Sequence, residues 1–334
     1  MKKKILLVGG CGFIGHNLAL HLSKIGHIPV IVDSLSINNI YSLDNKEILN
    51  QKLYKSILEN RMKLLKENNI DLIIQDARNY NSISALYSKI KPDVIIHLAA
   101  VSHANRSNKD PHTTFDHSLR TLENTLDYAK SQKTHVIYMS SSMVYGNFDK
   151  EGVDEDFACK PMGIYGTLKY AGELMVKSYN QVFDLPYTII RPSALYGERC
   201  VSRRVGQIFI ESAIQNIEIK INGDGNDKLD FTYIEDLVRG ISYCCDNEKA
   251  KNETFNITFG NARKIKDLID ILKSEFKDIK VNYQEREKFM PERGTLKIEK
   301  AKKLINFKAE YSIEKGYLEY IKWYKSFWKN LNNS

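Results

Sequence analysis

Tyr165-Gly166-Thr167-Leu168-Lys169 sets a phenol and an ammonium group four residues apart, the spacing that puts two side chains on one face of a helix. A free phenol titrates near 10, too high for a base at neutral pH. A cation held beside it favours the phenolate and brings that value down. Such a pair can take the proton of an alcohol while the carbon beneath it is oxidised. Upstream, Ser140-Ser141-Ser142-Met143-Val144-Tyr145-Gly146 follows an apolar, β-rich run, so its hydroxyls fall at the end of a strand. Ser141 or Ser142 can orient an alcohol there and share its proton with Tyr165, while another serine of the run bonds only the turn.

Oxidation needs an acceptor, and the N-terminus supplies a place for one. Gly9-Gly10-Cys11-Gly12-Phe13-Ile14-Gly15 follows the apolar run Ile5–Val8 and opens a helical pattern. Glycine serves here for a tight turn, for close approach of backbone to a pyrophosphate, and for close packing of helix on strand. The free N–H groups and positive dipole end of the helix then face the phosphates. Asp33 closes the second apolar run about 20 residues further on, where a carboxylate binds ribose hydroxyls and repels a 2′-phosphate. The cofactor expected is NAD, whose oxidised nicotinamide adds a second positive charge beside Tyr165. The glycines fall as GxxGxxG at Gly9, Gly12 and Gly15.

The elements that must hold these groups are legible as alternating patterns. Strands are predicted at Ile5–Val8, Ile28–Val32, Leu72–Ile74, Val94–Leu98, Val136–Met139 and Tyr187–Ile190. Helices are predicted at Phe13–Ile25, Ser82–Ile90, Thr114–Lys130 and Tyr165–Phe183. Continuous apolar strands separated by helices specify an α/β fold, a doubly wound parallel Rossmann sheet. Residues 38–69 read as a Lys/Glu/Leu helix inserted between strands two and three, expected to be a surface or oligomer-contact element without chemistry. After Arg191-Pro192 the pattern shifts to Gly/Asn/Asp loops with short elements, ending in an aromatic helix near Tyr317–Trp328. Residues 1–191 are therefore expected to bind the cofactor and residues 192–334 to form a smaller mixed α/β substrate lobe, the boundary being approximate and some C-terminal segments returning to the first domain.

Bulk properties narrow the classes. The 334 residues carry a net charge of +8, with lysines spread among acids along helix-like stretches, so a solvated surface and an anionic substrate fit better than nucleic acid. The five cysteines have no ligand or redox spacing, so no metal site is expected and a reducing compartment is. The run after Lys2-Lys3-Lys4 is too short for a signal peptide, and no stretch reaches the roughly 18 apolar residues of a span. A soluble, cytoplasmic protein follows as the expectation.

Taken together these motifs resemble the extended short-chain dehydrogenase/reductases of the NAD-dependent epimerase/dehydratase family. The likeness covers nearly the whole chain. It takes in Asp76-Ala77-Arg78, His97-Leu98-Ala99-Ala100, Arg191-Pro192, Tyr196-Gly197 and Gly223-Asp224-Gly225 before Asp230-Phe231-Thr232-Tyr233. The resemblance implies a nucleoside-diphosphate sugar as substrate and a homodimer or higher homo-oligomer. It implies that Ser141 is the catalytic hydroxyl beside Tyr165 and Lys169, with Ser142 in reserve. Phe13 and Ile14 join the glycines on the cofactor, Asp76 and Ala77 border its adenine, and Leu98, Ala99 and Ala100 line its diphosphate and ribose, while Lys169 also holds the nicotinamide ribose.

Within such a family the reaction turns on a few positions. Members that eliminate water resemble one another in an Asp-Glu pair after the catalytic hydroxyl, and decarboxylating members in a Glu. Ser142 and Met143 stand there, which disfavours a 4,6-dehydratase and a decarboxylase. Oxidation of a ring hydroxyl, at C4, remains. It gives a 4-epimerase if the ketone is re-reduced on its other face, and a 4-dehydrogenase or reductase if it leaves. Ser118, Ser193-Ala194 and Leu229 depart from the family pattern, Leu229 by replacing an arginine that resembles a diphosphate clamp. Lys228, Arg204 and Arg293 are the candidate replacements, and Ser102 and His103 the candidate sugar contacts. A non-catalytic NAD sensor on the same fold is the rival reading, against which the intact Ser141, Tyr165 and Lys169 argue.

Overall fold

The structure, a computed structural model, describes residues 2–37, 39–43, 50–102, 104–286 and 290–332. Strand β1 (Lys4–Val8), helix α1 (Phe13–Lys24) and strand β2 (Ile28–Asp33) open the chain. Helix α2 (Gln51–Glu67), β3 (Asp71–Ile74), α3 (Tyr80–Ile90) and β4 (Val94–His97) follow. Two short helices, α4 (Ala104–Lys109) and α5 (Pro111–Phe115), lead through a π-helical turn at Asp116–Arg120 into α6 (Thr121–Gln132). Then come β5 (His135–Met139), α7 (Gly163–Phe183) and β6 (Tyr187–Arg191). Beyond them lie β7 (Leu195–Tyr196), α8 (Val205–Ile214), β8 (Ile219–Asn222), β9 (Lys228–Leu229), β10 (Thr232–Tyr233) and α9 (Ile234–Asp246). The last elements are β11 (Glu253–Asn256), β12 (Arg263–Lys264), α10 (Ile265–Glu275), β13 (Val281–Gln284), α11 (Glu299–Ile305) and α12 (Ile313–Asn332).

Seven strands form one sheet in the order β11-β6-β5-β4-β1-β2-β3, every pair parallel. The runs Val94–His97 and His135–Met139 are buried throughout, as strands covered on both faces must be. Alternate side chains separate the two cores. Ile5, Leu7, Ile31, Ile96 and Ile137 pack with Leu18, Ile57, Leu237 and Tyr317, while Leu6, Val8, Val32, Ile95 and Val136 pack with Ile83, Leu122 and Val176. The order reverses between β1 and β4, which opens a crevice at their carboxyl ends where ligands bind in such sheets. The fold is thus the doubly wound Rossmann sheet with a smaller mixed lobe. That lobe contains three two-stranded pairs: β7 with β10, β8 with β13, and β9 with β12.

Three expectations need correction. The helix expected over Thr114–Lys130 is broken into α5, a π-turn and α6. Thr121 bonds back through Oγ1 to the carbonyl of His117 at 2.9 Å, a competition with the helical ladder that bends helices. The expected strand end at Leu98 is a turn, because the ladder stops at His97. The inserted helix is not a surface appendage: α2 buries Leu53, Tyr54, Ile57, Leu58, Arg61 and Leu65. Its apolar residues recur at helical spacing and cover the sheet, which a charged Lys/Glu composition conceals. Of the insert, Asn38 and residues 44–49 lie outside the described residues.

Candidate active site

The turn after β1 is built to bring backbone close to a ligand. Gly9 has φ +80°, and a Cβ there would stand 2.7 Å from the backbone nitrogen of Ala99. A Cβ on Gly15 would stand 2.4 Å from the carbonyl oxygen of Gly10, so α1 rests directly on the turn. Gly12 ends the turn as the residue before α1 and offers no capping side chain, which leaves the first N–H groups to an anion. At the end of β2 the Asp33 carboxylate accepts the N–H of Cys11 at 2.9 Å and of Leu35 at 2.7 Å. Burial pushes its pKa up, against those two bonds and the charge of Arg61.

Gly9, Gly12, Phe13, Ile14, Gly15, Asp33, Asp76, Ala77, Leu98, Ala99 and Ala100 all line one cavity of about 120 Å³. Asp76 is held in place there by Arg78, whose Nη2 donates to it at 2.7 Å. A glycine cradle that a Cβ would fill, a helix end open to phosphate and a half-buried carboxylate at the end of the second strand fit a dinucleotide with free ribose hydroxyls.

The proton-handling groups sit where β5 and α7 meet. Ser141 caps a tight turn over Ser142–Val144, its Oγ accepting the N–H of Met143 at 3.2 Å. Its largely buried hydroxyl shares the cavity wall with the phenol of Tyr165 and favours the phenolate there. Tyr165, Lys169 and Glu173 follow one another at four-residue spacing along α7. Lys169 donates from Nζ to the carbonyl of Met139 at 2.6 Å, and burial lowers its pKa to about 8, against the pull of Glu173. Glu173 is itself buried, accepting Ser140 Oγ at 2.5 Å and both Nε and Nη2 of Arg191 at 2.9 and 2.6 Å.

Burial raises the pKa of Tyr165, and the groups that oppose it are Arg204, the Ser141 hydroxyl and Arg293. The ammonium of Lys169 is committed to the Met139 carbonyl at the end of β5, whereas the two arginines come from the other lobe.

Those arginines belong to a second cavity of about 510 Å³, lined also by Ser141, Ser142, Tyr165, Lys169 and the expected contacts Ser102 and Lys228. Arg203 and Lys220 add two more cations to its wall. Among its described lining residues Asp227 is the one acid, and it is paired with Arg286 at 3.1 Å. The Nε atoms of Arg204 and Arg293 are buried with no hydrogen-bond partner, and burial with Arg204 alongside lowers Arg293 to about 10. Buried donors without an acceptor, on a cavity wall that also carries Arg203, Lys220 and Lys228, mark the place of an anion. Leu229 lines the same wall, so the charge expected from an arginine there is supplied from other elements. Arg204 lines both cavities and stands at their junction.

The segment three residues beyond Arg293 is stapled to the lobe at Leu296. The buried Asp230 accepts the N–H of Gly260 at 3.1 Å, the N–H of Leu296 at 3.0 Å and the hydroxyl of Thr258 at 3.1 Å. Burial raises Asp230 to about 6 against these bonds. Of the expected sugar contacts, His103 lies outside the described residues. Among the departures, Ser118 is buried within the π-turn, and Ala194 takes a left-handed φ of 36° on the cavity wall.

Sequence reasoning missed Arg61, Arg199 and Arg203. Arg61 is fully buried on α2 and lines the smaller cavity, donating from Nη1 to the carbonyl of Cys11 at 3.2 Å. A lone arginine at an inward position of an amphipathic helix was the available signal. Nothing local marks Arg199 and Arg203. Among the described residues no cluster of three or more His, Cys, Asp or Glu side chains can hold a metal ion, and no helix is long and apolar enough to cross a membrane.

Comparison with known proteins adds the remaining findings. The model of the NAD dependent epimerase/dehydratase family matches residues 5–258. Protein CapI of Staphylococcus aureus is 26% identical, covering 98% of this chain and 99% of its own. A putative UDP-glucose 4-epimerase of Methanocaldococcus jannaschii is 28% identical over 96% of this chain and 98% of its own. Among solved structures, UDP-glucuronic acid 4-epimerase from Bacillus cereus, in complex with UDP-glucuronic acid and NAD, superposes with a TM-score of 0.87 at 26% identity, over 97% of this chain and 99% of its own.

Proposed function

The chain belongs to the NAD dependent epimerase/dehydratase family, and from that premise we propose that it is a 4-epimerase of a uridine-diphosphate sugar. The enzyme is NAD-dependent and acts on nucleotide sugars, as its family does. The observation that carries the finer reading is the gathering of Ser141, Tyr165 and Lys169 on the wall of one cavity, where Asp227, the one acid among the described lining residues, is bound to Arg286. Elimination of water calls for an acid and a base beside the hydroxyl pair, and Ser142 and Met143, which can supply neither, occupy that place.

NAD, when bound, supplies the hydride acceptor and donor. Gly9, Gly12, Phe13, Ile14 and Gly15 hold its diphosphate, Asp33 its adenosine ribose, Asp76 and Ala77 its adenine, and Leu98–Ala100 the opposite wall. Tyr165 takes the proton of the C4 hydroxyl and returns it, while Ser141 aims that hydroxyl and shares the proton. Lys169 gives up its bond to Met139 for the nicotinamide ribose and for the phenolate. Arg204 and Arg293 turn their unpartnered Nε–H groups on the diphosphate, and Lys228, Ser102 and Ser142 complete the wall around the sugar. The same two arginines hold phenolate charge on Tyr165, so substrate capture and base activation share one set of cations.

We also infer a cytoplasmic homodimer. All five cysteines are free thiols, four of them buried, which fits a reducing compartment. On α7, Leu174 and Val182 are 49% and 71% exposed, an apolar pair suited to a second copy. Light scattering on the purified protein checks the pairing; a monomer at micromolar concentration removes it.

The function is tested by incubating the protein with NAD and a panel of UDP-, GDP-, CDP- and dTDP-sugars, following NADH absorbance and product NMR together. The expected outcome is a C4-inverted UDP-sugar with no net NADH. Net NADH with a released keto sugar makes the enzyme a 4-dehydrogenase. Inertness towards every sugar, with NAD still bound, makes it a sensor.

A further inference from the structure

We propose that the inserted helix α2 is a clamp that sets the Arg199–Arg204 loop against the glycine turn, with Arg61 and Glu211 as its positioning residues. The proposal rests on the reading of Arg204 as a contact to the substrate diphosphate.

Arg61 is 0% exposed and, among the described residues, makes no ion pair. Its guanidinium bonds carbonyls alone. Nε donates to the carbonyl of Arg199 at 3.0 Å, Nη2 donates to the same oxygen, and Nη1 donates to the carbonyl of Cys11 at 3.2 Å. Burying a guanidinium with no bonded carboxylate is costly, the charge of Asp33 acting on it only from a distance, and a structural helix would bury leucine at that position. What the arginine obtains is a bridge between two backbones from different lobes, the glycine turn of the cofactor cavity and the loop leading to α8.

The other end of that loop is held from the same helix. Tyr54 and Asn50 both donate to Oε2 of Glu211, at 2.7 and 3.2 Å. Oε1 of Glu211 accepts Gln207 Nε2 at 2.8 Å and the phenol of Tyr324 at 2.7 Å. Gln207 in turn accepts the N–H of Arg203 at 3.0 Å through Oε1. A third anchor comes from the loop itself. Arg199 donates to His16 Nε2 at 3.1 Å and to Asn17 Oδ1 at 2.7 Å, while His16 donates from Nδ1 to the carbonyl of Gly12 at 2.9 Å.

Between these anchors the backbone is held in conformations it would not choose. Arg199 and Arg203 have left-handed φ of 62° and 51°, strained for residues with long side chains. Such strain persists where the surroundings over-determine it, and it clusters at functional sites. The residue delivered by this loop is Arg204, at the junction of the two cavities. Helix α2 touches no reacting group and still fixes the distance between the cofactor turn and the cation that reaches the diphosphate.

The test compares Arg61→Met, Tyr54→Phe, Arg204→Met and the double variants, each saturated with NAD, by calorimetric titration with UDP and by steady-state kinetics. Arg204→Met is expected to weaken UDP about tenfold. Arg61→Met is expected to weaken it in the same sense and to raise KM for the sugar nucleotide while kcat moves less than about twofold, the signature of lost ground-state binding. If Arg61 acts through Arg204, Arg61→Met adds nothing to Arg204→Met. Tyr54→Phe removes one hydroxyl and keeps the fold, and the same non-additivity is expected of it with a loss of about threefold. Full additivity, or folded Arg61→Met and Tyr54→Phe variants that bind UDP like the parent, overturns the clamp alone. An Arg204→Met variant with unaltered UDP affinity overturns the reading of Arg204 and the clamp with it.

Discussion

The cofactor cavity and the sugar-nucleotide cavity meet along Ile14, Leu98, Ala100, Ser102, Leu195 and Arg204, yet they are built in different ways. One is made largely of backbone and small residues spaced over Gly9–Gly15, with two carboxylates, Asp33 and Asp76, at the ends of neighbouring strands. The other is made of long cationic side chains, Arg204, Lys228 and Arg293, gathered from separate segments of the second lobe. In the first, specificity comes from what is missing, since a Cβ at Gly9 or Gly15 fills the site. In the second it comes from donors left unsatisfied, the Nε atoms of Arg204 and Arg293. A backbone site is rigid and general, whereas a side-chain site is adjustable and selects.

Replacing Tyr165 by Phe separates the two most sharply. The phenol lies on the sugar side, so kcat is expected to fall by about 10²–10⁴ with NAD affinity unchanged. Fluorescence titration with NADH beside turnover checks it. A variant that loses NAD affinity together with activity places Tyr165 in the cofactor site instead.

Gly9→Ala probes the other side. A Cβ 2.7 Å from Ala99 N at φ +80° must shift either the turn or β4's exit, and NAD affinity is expected to fall about a hundredfold, equivalent to roughly 3 kcal/mol. UDP titration on the same protein should change far less. Equal losses for both ligands show that the turn supports the whole crevice.

The unequal legibility of the two regions in the sequence has the same origin. The glycine turn, Asp33 and the Tyr165–Lys169 pair depend on spacing within one strand or helix, so periodicity and motif locate them. The parallel sheet follows from the same local patterns of buried strands and intervening helices, but its seventh strand, β11, comes from the second half of the chain and is not among the strands predicted. Arg61, Glu211 and Arg203 depend on where α2, α8 and α12 meet, which no local spacing records. Helix α2 is the plainest case: its lysines and glutamates advertise a surface, and the six residues it buries are visible only once the sheet is beneath it. The π-turn at Asp116–Arg120 escaped for a related reason, since it answers to hydroxyls that pack around His97 rather than to propensity.

Arg293→Met addresses whether the cationic wall serves chemistry as well as binding. KM for the sugar nucleotide is expected to rise about tenfold, the worth of a charged hydrogen bond. The pH profile carries the further information. Arg293 opposes the upward shift of Tyr165, so its removal leaves the phenol harder to ionise. The rising limb of kcat for alcohol oxidation should move to higher pH. A tenfold KM effect with an unmoved limb confines Arg293 to binding.

The smallest effect expected is on stability in mild acid, and it distinguishes the sheet beneath the cofactor turn from the lobe beyond it. Burial lowers His97, at the end of β4, to about 3, and His135, at the start of β5, to about 4. Both ordinarily titrate at 6.5, so the unfolded chain binds protons that the folded sheet refuses. Their contribution is complete above pH 6.5 and is lost as pH falls towards the folded values, by about 1 kcal/mol for each between pH 7.5 and 6. Asp230, in the other lobe, works the opposite way. Its folded value is raised to about 6 from 3.8, so the folded state takes up a proton first and gains stability as pH falls through 6. Thermal unfolding at pH 7.5 and 6 should therefore show a modest net loss in the parent. His135→Gln, which keeps a partner for Thr188 Oγ1, should shrink that loss, and Asp230→Asn should enlarge it. A parent whose melting temperature does not change over this range, with both variants following it, shows that the two lobes do not titrate against one another.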